Sequence, residues 1–221
     1  MLSCAALSPA VQRVTSHLLR ASSVRLTAPK PWLAAAKMPL ARQAVVFADE
    51  RSKQDALVGL LASPPKGGTA IGFACLSLVA CATRRQSEMV LFCLQGAGHA
   101  VSCLAHDRPK RAEKEQTLAS FAAGATRVLV ATDAALRAVG AELCPVGHVI
   151  SFDFPQNMND YAHRLSYTAR YGHTGHVSTI VTDSTPRQQI EALVEVLQRT
   201  GSEVPRWLEG MAAGSSAMAV Q

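Results

Sequence analysis

Short apolar runs, each giving way to a segment of helical period, restrict this chain's fold more than any other feature. Gln43 to Ala48, Ala100 to Ala105, Arg127 to Ala131 and Gly147 to Ile150 are apolar almost throughout, as strands buried on both faces must be. His176 to Thr182 alternates and reads as a last strand. Between them lie helical patterns. Residues 53–62 place Ala56, Leu57, Leu60 and Leu61 on one face, Pro109 to Ala123 buries Leu118 and Phe121 and stops at Gly124, and Pro186 to Arg199 carries Ile190, Leu193, Val194 and Leu197. Asn159 is the expected cap of a short helix whose face holds Tyr161, His163 and Arg164. Strand, helix and strand in repetition predict βαβ units, and so an α/β domain whose parallel sheet has helices on both faces.

Composition sets the bounds of that domain. Of the 221 residues 48% are hydrophobic, enough for one substantial core. The net charge of +6 comes entirely from residues 1–48, which hold Arg13, Arg20, Arg25, Lys30, Lys37 and Arg42 and no acid. The remainder is neutral, so any nucleic-acid site must be local. Residues 1–42 read as a basic leader, disordered or presequence-like, with an amphipathic helix over 9–21, and residues 211–221 read as a disordered tail. The domain is expected over 43–210 with an insert over 66–96. Thr69 to Ala82 is too short an apolar run to cross a bilayer. Removing 67–96 joins a helix to the strand at Ala100 by a turn of ordinary length, so that stretch is expected to be dispensable, whether a real insertion or a translated intron. Cys4, Cys75, Cys81, Cys93, Cys103 and Cys144 show no C-x-x-C pairing and read as core residues in a reducing compartment, with no metal site.

The densest polar stretch runs from Ser151 to Gly175. Asp153-Phe154-Pro155 closes a buried strand, and Arg164, Arg170, His163, His173 and His176 follow closely. Two guanidiniums converging on one crevice suit a phosphate, and the plainer alternative is a solvated basic loop beside a core strand. The spacing resembles the sixth motif of superfamily 2 helicases, which in DEAD-box RNA helicases reads His-Arg-x-Gly-Arg-x-x-Arg after a strand and Asp-x-Pro. Asp153, Pro155, Tyr161, His163, Arg164 and Arg170 stand in place, Tyr167 replaces the first phosphate-facing arginine, and Ser166 and Ala169 replace glycines. Ala131-Thr132-Asp133 looks like the start of the fifth motif. Either Arg137 meets the family arginine or Gly140-Ala141-Glu142 meets Gly-Leu-Asp, and the two registers differ by about two residues. His106 through Phe121 matches the family's preceding segment, with Asp107 replacing a glycine and Arg111 and Lys114 replacing Gln and Arg. Val204-Pro205-Arg206-Trp207-Leu208 is most similar to the Vasa-like branch.

This resemblance covers 43–63 and 97–210 and implies a single RecA-like helicase C-terminal domain, the second lobe of a two-lobed machine. It implies Arg170 as the catalytic, ATP-facing arginine, with Tyr167 and Glu142 also facing the nucleotide. Thr132, His106, Lys114 and Arg164 would face RNA, and Asp153 and His163 would be structural members of the sixth motif. ATP and magnesium would be bound only together with a first lobe, because the chain has no Gly-Lys dipeptide for a phosphate loop, and Asp49-Glu50 is followed by Arg51-Ser52 rather than completing an acidic box. The chain alone is therefore expected to be inactive. The implied partners are RNA and a first RecA-like lobe or full-length helicase, with no membrane and no small-molecule substrate other than ATP. The cytoplasm or nucleus is implied by the resemblance, a mitochondrion by the acid-free N-terminus. A non-catalytic RNA- or protein-binding module derived from such a lobe is the alternative, favoured by Tyr167 and Asp107. A third reading is an unrelated doubly wound small-ligand protein.

Overall fold

Parallel pairing decides the architecture. A computed structural model describes residues 41–63, 76–105, 111–168 and 174–214. In chain order it contains β1 (Ala41–Phe47), α1 (Lys53–Ala62), β2 (Ser77–Cys81), α2 (Arg84–Gly96), β3 (Val101–Leu104), α3 (Arg111–Ala122), β4 (Val128–Thr132), α4 (Asp133–Val139), a 3₁₀ turn (Gly140–Glu142), β5 (His148–Ser151), α5 (Met158–Leu165), β6 (Gly175–Val181), α6 (Arg187–Thr200) and α7 (Arg206–Ala213). The six strands form one sheet in the order β1-β6-β5-β2-β4-β3, with every pair parallel.

Alternate strand residues face opposite cores. Leu57 of α1 and Val90 and Leu94 of α2 pack with Val79, Val130, Ile150 and Ile180 on one side. Helices α3 to α7 cover the other side, where Phe121, Leu136, Leu165 and Leu193 meet Leu78, Leu129, Val149 and Val177. The division follows from handedness. The crossovers β1→β2 and β2→β3 run one way along the sheet and later ones run back, so right-handed connections put the two sets of helices on opposite faces.

The expected insert is overturned where the structure describes it. Residues 77–96 supply β2, bonded to both β4 and β5, and the helix α2 that follows it. Leu78, Val79, Ala80 and Cys81 are fully buried, each of the larger side chains worth roughly 1.5–3 kcal/mol of burial. The apolar run is a central strand, and the polar residues after it start a helix. Thr83 is extended, and its hydroxyl accepts the Gln86 N–H at 3.2 Å. The apparent ease of joining 66 to 97 was local; it left the sheet without its middle strand.

Other boundaries move less. Asn157, not Asn159, caps α5: its side chain accepts the Asp160 N–H at 2.9 Å from an extended backbone. Residues 211–213, expected in the tail, instead end α7, where Met211 is buried, and the same helix sets Trp207 edge-on to Phe47 at 5.7 Å; residues 215–221 lie outside the described residues. The leader helix over 9–21 lies outside the described residues. Among the described residues no helix is long and apolar enough to cross a membrane. A buried polar chain ties the sheet edge to two helices: Tyr161 Oη donates to Gln43 Oε1 at 2.7 Å, and Gln43 Nε2 donates to Thr200 Oγ1 at 3.1 Å.

Two measurements test this packing. Deleting 77–96 removes both ladders of the central strand, so the product is expected to show no cooperative thermal transition, whereas a soluble product melting like the parent would restore the insert reading. The second concerns His148 on β5, which is buried with Nε2 2.8 Å from Ser178 Oγ. Burial, reinforced by His176, pushes its pKa down from 6.5 to about 4. The unfolded chain therefore takes up a proton near pH 6.5 while the folded chain resists until about 4. Stability is complete above 6.5 and falls as pH drops toward 4, by about 3 kcal/mol at most from this group. Denaturant unfolding at pH 7 and pH 5 should show about 2 kcal/mol of that loss, and His148→Phe should reduce it.

Candidate functional site

The connection after β2 leaves the sheet toward β3, while the one after β5 leaves toward β6. The carboxyl ends of β2 and β5 therefore flank a topological switch point, where open α/β sheets place ligands. Here the crevice is filled by the chain's own carboxylate. Asp153, two residues past β5, accepts Lys53 Nζ at 2.6 Å, the Ala82 N–H at 2.9 Å and Gln86 Nε2 at 3.0 Å. Lys53 and Asp153 side chains are 8% and 7% exposed, and the ammonium also lies 4.6 Å from the Phe152 ring centroid. One side chain thus joins α1, the start of α2 and the end of β5. Lys53, Gln86 and Ala82 each direct a donor to Asp153, whose negative charge opposes a phosphate at this point.

Beside it, α4 and α5 are interlocked. Arg164 is fully buried. Its Nε and Nη2 each donate to a different Asp133 oxygen at 2.7 Å, and Nη1 donates to the Asp153 carbonyl at 2.6 Å. Farther along, Tyr167 Oη donates to the Leu136 carbonyl at 2.7 Å and lies 2.9 Å from His163 Nε2. On the outer side Arg137 pairs with Asp160. Gly140 ends α4 at φ 54° and ψ −121°, a conformation that favours glycine, and turns the chain into the 3₁₀ segment bearing Glu142.

Of the two expected guanidiniums, Arg164 does not face an open crevice. Arg164, expected to face RNA, is sealed onto Asp133, and Tyr167, expected to face a nucleotide, points into the core with no exposed surface. Arg164 lies where it does because α5 is amphipathic and turns that face inward, and Tyr167 follows in the turn after that helix. Thr132 ends β4 and caps α4, its Oγ accepting the Ala135 N–H at 3.2 Å. Lys114 and Glu142, expected on RNA and nucleotide respectively, pair with each other at 2.8 Å, with Glu142 about half exposed. His163 is half-buried and Asp153 buried, each holding neighbouring elements together. His106, Arg170 and Asp107 lie outside the described residues. Sequence reasoning missed Lys53, Gln86 and Asp133. The available signal was a lysine opening the first helix and an aspartate directly after a buried strand.

One family model, the helicase conserved C-terminal domain, matches residues 43–172, more than half of the chain. The chain belongs to that family. The matched range includes β2 and α2. The helicase C-terminal domain is also similar in structure to DEAD-box proteins. Yeast DEAD-box splicing factor Prp28 matches over 94% of this chain and 43% of its own, at 17% identity and a TM-score of 0.70. The C-terminal domain of the DEAD-box protein Dbp5 matches over 80% of this chain and 98% of its own, at 23% identity and a TM-score of 0.60. A S. cerevisiae Dbp5 variant solved with RNA and ADP BeF3 matches over 98% and 54%, at 20% identity and a TM-score of 0.64. These likenesses establish a RecA-like helicase C-terminal fold. The chain spans less than half the length of Prp28 and about half that of the Dbp5 variant.

The Asp153 network makes a ranked prediction for this helicase domain. Asp153→Ala strands a buried ammonium and leaves the Ala82 N–H unpaired, for a loss of about 3–5 kcal/mol. Lys53→Met leaves the carboxylate its two other donors, so its loss is smaller. Denaturant unfolding of both variants checks the order, and the reverse order would remove Asp153 from the centre of the network.

Proposed function

We propose that this chain is the second lobe of an ATP-dependent DEAD-box RNA helicase, with its likeness at the C-terminal end nearest the Vasa-like branch. In this reading Thr132 and Lys114 contact the RNA backbone, while Arg170 and Glu142 face ATP held by a first lobe, together with magnesium. The observation that carries the RNA side is the position of Thr132, at the carboxyl end of β4, where its oxygen accepts the helix-cap N–H in a bond that does not use the hydroxyl's own hydrogen. Arg170 carries the nucleotide side by its place in the sixth motif, inside the segment matched to the helicase family. The match to an RNA-bound Dbp5 variant supports the same assignment by fold.

Substitution separates capping from RNA contact. Thr132→Asp keeps an N-cap oxygen but loses the donor and adds a negative charge, whereas Thr132→Ser keeps both functions. Fluorescence anisotropy with a short single-stranded RNA should show at least a ~10-fold loss for Thr132→Asp and near-parental affinity for Thr132→Ser, measured at a temperature where both variants are shown folded by a cooperative melt. Equal affinities, or no RNA binding by the parent, would overturn the RNA role.

One observation favours the second reading, a non-catalytic binding module: Tyr167 is buried and brings no charge to a nucleotide. The two readings share an expectation. Without a phosphate loop or acidic box the β and γ phosphates have no cradle, so the purified chain should release no phosphate from ATP, with or without RNA. RNA-stimulated release above a heat-denatured control would contradict both.

A further inference from the structure

We propose that Tyr167 is a positioning residue whose phenol, bridging the Leu136 carbonyl and the His163 ring, fixes the point from which the chain leaves α5 toward residues 169–173. The importance of that point rests on the reading of Arg170 as ATP-facing, whereas the bridge itself does not. The geometry carries it. A phenol has one hydrogen, and at 2.7 Å that hydrogen goes to the Leu136 carbonyl, which only accepts. The 2.9 Å contact to His163 must then run the other way, from Nε2–H of the imidazole to the phenol oxygen. The rings meet edge-to-face, with centroids 5.1 Å apart at 83°. Hydrogen-bond order therefore assigns His163 its Nε2–H tautomer and links α5 to α4 through residue 167.

The backbone of the same residue adds a third element. The Tyr167 carbonyl accepts the Val146 N–H at 3.0 Å, just before β5, and its own N–H donates to Arg164 at 3.2 Å. Thr168 follows, fully buried, with its N–H on the Leu165 carbonyl at 3.2 Å. Helices α4 and α5 and the lead-in to β5 thus meet at one residue. Around the imidazole, burial lowers its proton affinity most, the Leu136 carbonyl, Asp160 and Asp133 oppose that, and Arg137 adds to it. An arginine at 167 would bring a charge into a place with no exposed surface, so the phenol is not a weakened substitute for a phosphate ligand. It holds the chain in place by hydrogen bonds that a guanidinium, having no acceptor, could not reproduce with a neutral histidine donor.

The test uses the whole chain and neither ATP nor RNA, so it fails or succeeds independently of the helicase-lobe reading. Nitrogen-detected NMR of ¹⁵N-histidine-labelled protein at pH 7.5 should show His163 as the Nε2–H tautomer, and an Nδ1–H tautomer would overturn the proposal. In Tyr167→Phe, which keeps the ring and removes the oxygen, hydrogen exchange at the amides of Val146, Tyr167 and Thr168 should quicken by at least ~10-fold. Amides of β4 and β5 should keep their protection, which separates local release from general destabilisation. Unchanged exchange at the three amides would overturn the bridge. Should the phenylalanine variant fail to fold, the tautomer in the parent protein decides alone.

Discussion

The Asp153 carboxylate is the interaction on which the rest of the structure depends. It stands where β2 and β5 send their connections in opposite directions, a gap that the backbone alone cannot close. Three donors from α1, from the β2 exit and from α2 converge on it. Buried charge at such a point is tolerable only because the ammonium and both remaining donors are supplied together. The same residue's carbonyl receives Arg164, so the network extends into α5 and, through Asp133, into α4. What would be a ligand crevice in another doubly wound protein is here a keystone.

The consequence for function is a shift in where ligands could meet this lobe. Among the described residues, other polar groups named above lie away from that carboxylate: Thr132 at the end of β4 and the Lys114–Glu142 pair between α3 and the 3₁₀ turn. That arrangement suits a lobe that contributes contacts to something held elsewhere. It agrees with the lack of a phosphate loop in the sequence and with family membership in the helicase C-terminal domain.

Much of this was legible in the residues. The strands around Val45, Val101, Val128 and Val149 declare themselves as short apolar runs, as parallel strands covered by helices tend to be, and the one around Val177 by its alternation. The helix Lys53–Ala62 was readable to the residue from its spacing and the Ser63-Pro64-Pro65 stop. Asp153, His163 and Arg164 were visible as a group through their order after a strand, but not in their partners. The α2 helix and β2 were misread because the apolar run through Cys81 has no counterpart in the local pattern on either side, and because a short join looked sufficient without it.

Sequence alone therefore determined the class of fold, most of the strands, and the stretch in which the polar residues are concentrated, since periodicity and burial are local properties of a chain. Only tertiary structure decided which strand lies in the middle, because strand order is set by crossovers between distant segments. It also decided that Arg164 and Tyr167 turn inward. Their fate depended on Asp133 and Leu136, some thirty residues earlier, and on whether a side chain's partner is water or another helix.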